Sequence, residues 1–432
     1  MRKLSILILF VSAFSWAQTA VDTITYMQYN LLSYRTNNGN CTNSNNNATS
    51  KDGYMATIVG HVLPDIIAVN EMGADGGTAA NRLLTNAINV DGRTNYKQCN
   101  YSANSNLCNM LYYNKNKLDL YTQDKIERAA NGTFLVRQID VYTLFYTNSS
   151  ELANGDTTFL AVYVTHLKAG SGSSDKTERA AMTAAAMKYH EDNYSDANYI
   201  FSGDFNIQTQ SEDCYQNLIN YSNNSVRFYD PKNKPGSWNS NSNYADLHTQ
   251  STRSSSSEGG CFSTGGLDDR FDFILCGKEI MDNTRGINYI SGSYRSVGND
   301  ALHFNKDIIS SPANTSVPGP VLNALYYMSD HLPVTLQLGI TRGTASTPNY
   351  TLQKRVIVGN PVNDILYWKV DGGFYGTVSI TDLQGKQIYA SEQLEETANW
   401  QTINTINLLP GTYVLTLESK EGTIVRRKVV KI

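Results

Sequence analysis

Asp204 and Asn206 stand two residues apart in the run Tyr199-Ile200-Phe201-Ser202-Gly203-Asp204-Phe205-Asn206, behind a stretch of apolar and aromatic residues. In an extended segment, side chains two apart point to the same side, so this spacing sets a carboxylate beside an amide. Such a pair can hold a metal ion or a water molecule together with a substrate oxygen. Gly, Asp and Asn also form the ordinary turns that close strands, so the run alone fits either reading. Other polar groups stand at the ends of apolar runs in the same way: Asn30, Glu71, His166, and Asp330 with His331. Asp272 alternates with Arg270 along one strand face. A lone carboxylate after a strand is usually a cap, and a lone buried histidine is usually a satisfied core residue. Six such places in one domain point instead to a shared site. Carboxylate oxygens are hard donors suited to a divalent cation, and a carboxylate–histidine pair suits proton transfer.

Strands must carry these groups. Thr23–Leu32 is rich in β-branched and aromatic residues and reads as a strand closed by Asn30. The apolar run Ile66–Val69, bounded by Pro64-Asp65 and Asn70, reads as a buried one. Met110–Tyr113, Phe134–Tyr146, Thr158–Val164, Leu267–Leu275 and Thr335–Leu338 add further strands. Helical spacing covers Tyr54–His61, Thr78–Ile88 and the alanine-rich Lys176–Asp192. Thr36–Ser50 and Thr249–Gly266 are polar loops. Many strands with few helices predict an α+β layered domain over residues 18–338. Residues 339–355, rich in Thr, Ser, Gly and Pro, read as a linker. Residues 356–432 show short alternating strands broken by Gly and Pro-Gly pairs, the spacing of a small all-β sandwich.

The formal charge of −4 is unevenly spread. Residues 18–338 carry 23 Lys and Arg against 31 Asp and Glu, whereas residues 339–432 carry 10 against 8. The main domain therefore lacks the cationic field that usually drives nucleic-acid association, but it suits carboxylates gathered around a divalent cation. Arg2 and Lys3, the apolar Leu4–Phe14 and Ser15-Trp16-Ala17 have the form of a secretory signal, residues 1–17, cut after Ala17. No later segment reaches the roughly 18 apolar residues of a membrane span, so no stable membrane insertion is expected. Six cysteines accord with an oxidising destination. Cys99 and Cys108 are placed to close a short loop, and a Cys214–Cys261 bridge would join two site-bearing loops. Cys276 reads as a buried thiol, and Cys41 has no obvious partner.

In chain order, Tyr-Asn-Leu-Leu (29–32), Pro-Asp-Ile-Ile-Ala-Val-Asn-Glu (64–71), Thr-His-Leu (165–167), Ser-Gly-Asp-Phe-Asn (202–206), Arg-Phe-Asp-Phe-Ile (270–274) and Ser-Asp-His-Leu-Pro-Val (329–334) form one series. This series resembles the endonuclease/exonuclease/phosphatase superfamily over roughly residues 22–338. That superfamily includes deoxyribonucleases, abasic-site endonucleases, neutral sphingomyelinases and inositol-polyphosphate phosphatases. Asn70 departs from the Gln that commonly precedes the glutamate. The resemblance implies a four-layer α/β/β/α sandwich, two mixed β-sheets flanked by helices with the site at their shared rim. It also implies hydrolysis of a phosphate ester with Mg²⁺ or Mn²⁺; an additional structural Ca²⁺ is left open. It implies Asn30, Glu71 and Asp330 as metal ligands. Asp204 would orient or deprotonate water, Asn206 would hold a phosphate oxygen, and His166 would donate to the phosphate or leaving group. His331 would be the second acid or base, its tautomer fixed by Asp272. Which of Asp204 and His331 takes the proton is left open.

The tail has its own resemblance. Asn360-Pro361-Val362, Val378–Lys386, Leu409–Tyr413 and the basic end Arg426–Ile432 are similar to the C-terminal sorting domain of the type IX secretion system of the Bacteroidota. That implies the type IX machinery as a partner and a secreted or cell-surface destination; an accessory binding sandwich is the alternative. The whole chain is thus expected to be a secreted, monomeric, metal-dependent phosphodiesterase, a nuclease acting on DNA or RNA. A phosphatase or sphingomyelinase-like phospholipase is the alternative, and a catalytically silent surface-binding module a third reading. Other residues have plainer expectations. Asp268 and Asp269 read as a solvated turn, Arg270 as an ion-pair partner or a phosphate contact, and His61, His190, His248 and His303 as surface, packing or loop residues.

Overall fold

The computed structural model describes residues 22–147, 157–194, 197–256, 258–340, 356–359, 361–370, 374–391, 394–397, 400–419 and 424–432. The signal read at 1–17 and linker positions 341–355 lie outside them. The chain divides into two compact units, Met1–Gly343 and Thr344–Ile432.

The first unit begins with β1 (Asp22–Tyr34), α1 (Ala48–Val62), β2 (Ile66–Gly73), α2 (Thr78–Leu83), β3 (Tyr96–Gln98) and β4 (Leu107–Asn114). It continues with β5 (Leu118–Arg128), β6 (Phe134–Tyr146), β7 (Phe159–His166), α3 (Ser173–Asn193), β8 (Asn198–Asp204), α4 (Asp213–Ile219) and β9 (Phe228–Tyr229). It ends with β10 (Asp272–Gly277), α5 (Lys278–Asp282), β11 (Ile287–Tyr289), β12 (Arg295–Ser296), α6 (Gly319–Met328) and β13 (Val334–Ile340).

Two mixed sheets result. One has the order β11-β13-β1-β2-β4-β3, with β12 also on β13; the other has the order β5-β6-β7-β8-β10-β9. β1 runs parallel to β2 and antiparallel to β13, and β8 runs parallel to β7 and antiparallel to β10. Residue alternation decides the layers. On β1, Met27 and Tyr29 face α1 and α6, packing with Met55, Ile58, Val59 and Leu325. Their neighbours Ile24 and Tyr26 face the other way, meeting Tyr142, Val162, Ile200 and Ile274 of the second sheet. That sheet turns Tyr163, Phe201 and Phe273 outward onto Met182, Met187 and Leu218 of α3 and α4. Helices therefore cover both outer faces, and the architecture is α/β/β/α. Because both faces of the central strands are buried, their sequences read as nearly continuous apolar runs. Each large apolar side chain so buried contributes roughly 1.5–3 kcal/mol.

Helix α1 starts earlier than its apolar spacing indicates. The Asn47 side chain accepts hydrogen bonds from the Thr49 and Ser50 amides, a cap that recruits residues which read as loop. Strand β5, mostly polar along its length, and helix α6 carried no signal that the sequence reading used. Among the described residues no helix is long and apolar enough to cross a membrane.

The cysteine pairings differ from expectation. Cys41 bonds Cys261 across 220 residues, and Cys99, Cys108, Cys214 and Cys276 are buried free thiols. Cys99 and Cys108 lie on opposite faces of the first sheet, one between the sheets and the other under the helices, so they cannot meet. Cys214, on α4, packs against the outer face of the second sheet, whereas Cys261 sits with Leu32, Cys41 and Phe262 in a small cluster of its own.

The second unit is all-β. It contains β14 (Val356–Val358), β15 (Ile365–Val370), β16 (Phe374–Asp382), β17 (Gln387–Ala390), β18 (Leu394–Thr397), β19 (Gln401–Asn404), β20 (Gly411–Ser419) and β21 (Ile424–Lys431). One sheet is ordered β14-β15-β19 and the other β17-β16-β20-β21, with β18 on β16. Alternate residues Leu366 and Trp368, Val378 and Ile380, and Leu415 and Leu417 fill its core.

Candidate active site

Both sheets feed one rim. β1 and β2 run in register until Asn30 faces Asn70; the register then shifts before Tyr34 meets Met72. At this break Leu32, Ser33, Arg35 and Glu71 take positive φ between 44° and 59°, a backbone region that non-glycine residues seldom occupy and that gathers at functional sites. In the second sheet His166 lies opposite Asp204, and Asp204 opposite Asp272. Gly203, at φ 152°, makes this pairing possible, because a Cβ there would lie 1.8 Å from the Thr165 carbonyl oxygen.

Asn30 joins the two halves. Its Nδ2 donates to Glu71 Oε1 at 3.0 Å and to Asp204 Oδ2 at 2.9 Å, while its Oδ1 accepts from the Leu32 amide. The Ser33 amide and hydroxyl donate to Glu71 Oε2 at 3.1 and 3.3 Å. His166 Nε2 lies 3.7 Å from Glu71 Oε1 and 3.6 Å from Asp204 Oδ2. Among the described residues, Glu71, His166 and Asp204 form the group whose ligand atoms all lie within 4.8 Å of one another. Asn30 presents its NH₂ to the carboxylates, so to offer oxygen to a metal it would have to turn over and lose its bond from Leu32.

His331 completes the rim. Its Nδ1 donates to Asp272 Oδ2 at 2.7 Å, and its Nε2 lies 3.7 Å from Asp204 Oδ2. The Gln250 amide is 2.7 Å from Nε2 and can serve either ring state by presenting its nitrogen or its oxygen. Asp330 lies beside His331, but its Oδ2 accepts from the Ser263 amide at 2.9 Å and from Gln250, while its buried Oδ1 has no hydrogen-bond partner among the described residues. Asn206 is reached differently from the expectation. β8 ends at Asp204 and Asn206 sits beyond it at φ 53°, so strand alternation does not place it. Its amide nitrogen donates to Asp204 Oδ1 and its side chain to the Leu167 carbonyl.

Burial governs the electrostatics. It pushes the Asp204 carboxyl up to about 7, with Asp272 and Glu71 adding to the rise and His331 and Asn30 opposing it. It disfavours the charged ring of His331, but Asp272 and Asp204 outweigh it and hold that imidazole well above its usual range. His166 is driven well below by burial, with Arg137 and His331 adding to the effect, and is neutral near pH 7.

The other residues singled out in the sequence hold partners of their own or lie exposed. Arg270 forms a buried, two-pronged ion pair with Asp230 over the Phe273 ring and is 0% exposed, so it is an ion-pair partner and not a phosphate contact. Asp268 and Asp269 are half-buried and bonded to Ser240 and Asn239, not a solvated turn. His303 pairs with Asp300, His190 packs against Tyr199 and Phe228, His248 bonds the Trp238 carbonyl, and His61 is exposed. Three contributors escaped the sequence reading. Ser33 and Gln250 lie in segments that read as a strand's end and a loop. Arg137, whose Nη1 donates to the Leu167 carbonyl at 2.7 Å, lines a small cleft with Glu71, Asn104, Asn109, Gln138 and His166. A cation within the largely apolar run of β6, three residues before Asp140, was its one available signal.

No curated protein matches this sequence. Among solved structures, the human Nocturnin catalytic domain with bound sulfate anion is similar at 16% identity, over 74% of this chain and 95% of that one, with a TM-score of 0.44. TDP2 of D. rerio complexed with single strand DNA product gives 12% identity, 73% and 99% coverage and a TM-score of 0.46. An endonuclease/exonuclease/phosphatase from Bacteroides vulgatus gives 13%, 74% and 99%, and 0.43. Residues 357–431 match the family model described as a secretion system C-terminal sorting domain. The structural neighbours of this chain thus include endonuclease/exonuclease/phosphatase family proteins, and its tail is similar to secretion system C-terminal sorting domains.

Proposed function

We propose that the first unit is a divalent-metal-dependent phosphodiesterase, an extracellular nuclease acting on DNA or RNA, which the tail sends through the type IX machinery to the cell surface or beyond. One observation carries this reading: Asn30, Glu71, His166, Asp204, Asp272 and His331, from both sheets, form one connected cluster in which each has a polar atom 2.7–3.7 Å from another member. Burying three carboxylates and two imidazoles at one rim is unfavourable for folding, and such clusters mark sites of chemistry.

The donor set fits Mg²⁺ or Mn²⁺. Glu71 offers hard oxygens, with Asp204 adjacent and Asp330 holding an unpartnered oxygen nearby in sequence to His331. When bound, the ion would polarise the phosphoryl group and offset its developing charge. Asp204, raised toward neutrality, is matched to accept the proton of an attacking water. His331, oriented by Asp272 and favoured in its charged form, offers a proton to the leaving oxygen. Neutral His166 and the Arg137 guanidinium line one small cleft with Glu71 and would contact a phosphate oxygen bound there, and the Asn206 backbone amide steadies Asp204.

A lipid phosphodiester is the second reading. The β5–β6 hairpin exposes Phe134 by 66% and Val136 by 42%, next to Arg137 in sequence. A panel of single-stranded DNA, double-stranded DNA, RNA and sphingomyelin vesicles, each with Mn²⁺, separates the two. Cleavage of nucleic acid that disappears in Asp204→Ala and His331→Ala supports the first; turnover of vesicles alone supports the second. Cleavage that survives both substitutions removes these residues from the mechanism.

A further inference from the structure

Lys51 is a lysine on the inward face of α1, 2% exposed, and no step proposed above uses it. Its Nζ donates to the Leu31 carbonyl at 2.7 Å, to the Leu32 carbonyl at 2.8 Å and to Asn46 Oδ1 at 2.7 Å. An ammonium has three hydrogens, and each has an acceptor. Asn46, 5% exposed, returns two bonds of its own, to the Leu32 and Ser33 carbonyls. Together the two side chains grip the segment from Leu31 to Ser33, which contains the consecutive left-handed residues Leu32 and Ser33. Left-handed non-glycine residues persist only where the surroundings over-determine them. The same segment supplies the Ser33 amide and hydroxyl that hold Glu71 Oε2. Burial draws the ammonium down to about 7, while Asp330 and Glu71 draw it back up, so Lys51 feels the carboxylates of the rim.

We propose that Lys51 is a positioning residue of the hydrolytic site: its buried ammonium fixes the left-handed Leu32–Ser33 turn, and that turn fixes the Glu71 carboxylate for a divalent cation. This rests on the hydrolytic reading of the same rim. The chain of cause runs from Nζ to the backbone carbonyls, from the turn to the Ser33 donors, and from those donors to Glu71. Replacing Lys51 with Met keeps the stem that packs inside the unit and removes only the charged head.

The test uses the full-length protein in two measurements made without substrate. In Lys51→Met, hydrogen exchange of the metal-free Ser33 amide and the Mn²⁺ dissociation constant should each rise at least about tenfold, the range seen when the support of a metal ligand is removed. The Val162 and Ile200 amides, in β7 and β8, should keep their protection. High Mn²⁺ should restore most of kcat, which a merely unfolded population would not do. If Ser33 exchange and Mn²⁺ affinity are both unchanged, the proposal is overturned. Should Lys51→Met not fold, Asn46→Ala, which removes one acceptor and two supporting bonds, carries the same expectation and the same overturning result. Because neither measurement needs turnover, a wild-type protein that cleaves nothing would sink the hydrolytic reading while the role of Lys51 is still decided.

Discussion

At the scale of single residues, the rim is a set of opposed protonation preferences. Burial makes Asp204 resist ionisation, whereas Asp272 and Asp204 together make His331 resist deprotonation. Both effects act on stability in the same direction. An acid whose folded pKa lies near 7 is favoured while protonated, so its contribution is lost as pH rises between about 4 and 7. A histidine raised above its unfolded value stabilises the fold fully below about pH 6.5 and less as pH climbs through its folded pKa. In the metal-free protein these two groups therefore favour pH 5.5 over pH 8, whereas His166 and Lys51, whose pKa values burial lowers, act in the opposite direction. Mg²⁺ or Mn²⁺, which binds the ionised carboxylates, should raise Tm more at pH 8 than at pH 5.5. Thermal unfolding at both pH values with and without Mn²⁺ checks this; an equal metal-induced shift would contradict it. Asp272→Asn removes the carboxylate that orients and charges His331. It should lower kcat by about 10²–10⁴ and move the upper limb of the pH–rate profile to lower pH. The rim residues could be read from the sequence because they stand at the ends of apolar runs, Asp272 at the start of one. Lys51, Ser33 and Gln250 could not, since they act through bonds made by a kinked strand and loops whose path no periodicity reveals.

At the scale of elements, the site depends on two strands approaching closely and on two loops held together. Gly203→Ala places a methyl group where the Thr165 carbonyl already stands. It should prise β8 from β7 and destabilise the first unit by about 3 kcal/mol or more, measurable as a lower denaturant midpoint. The disulfide between Cys41 and Cys261 ties the loop after β1 to the loop that delivers Gln250 and Ser263 to His331 and Asp330. A Cys41→Ser, Cys261→Ser pair should lose roughly 2–5 kcal/mol of stability, and reducing agent should reproduce that loss in the wild type but not in the variant. Strand order and alternation were legible because both faces of the central strands are apolar. The cysteine connectivity was not, because the side of the sheet each thiol occupies is decided only once the strands pair. The early start of α1 was hidden for a similar reason: Asn47 and Ser50 look like loop residues until one caps the other.

At the scale of the whole molecule, the chain joins the unit that carries the proposed hydrolytic site to one similar to a secretion sorting domain. Deleting residues 357–431 should leave the protein inside the producing cell without altering the chemistry of the first unit. Fractionation of cells expressing the two forms checks this, and export of the shortened chain would contradict it. The central claim is that Glu71, His166, Asp204 and His331 form a metal-dependent hydrolytic centre. The most direct test is cleavage of a labelled DNA or RNA strand by purified protein in Mn²⁺, with and without chelator, beside Glu71→Gln. The account predicts cleavage by the wild type that stops with chelator and falls by about 10² or more in the variant. Cleavage indifferent to both the chelator and the substitution would contradict it.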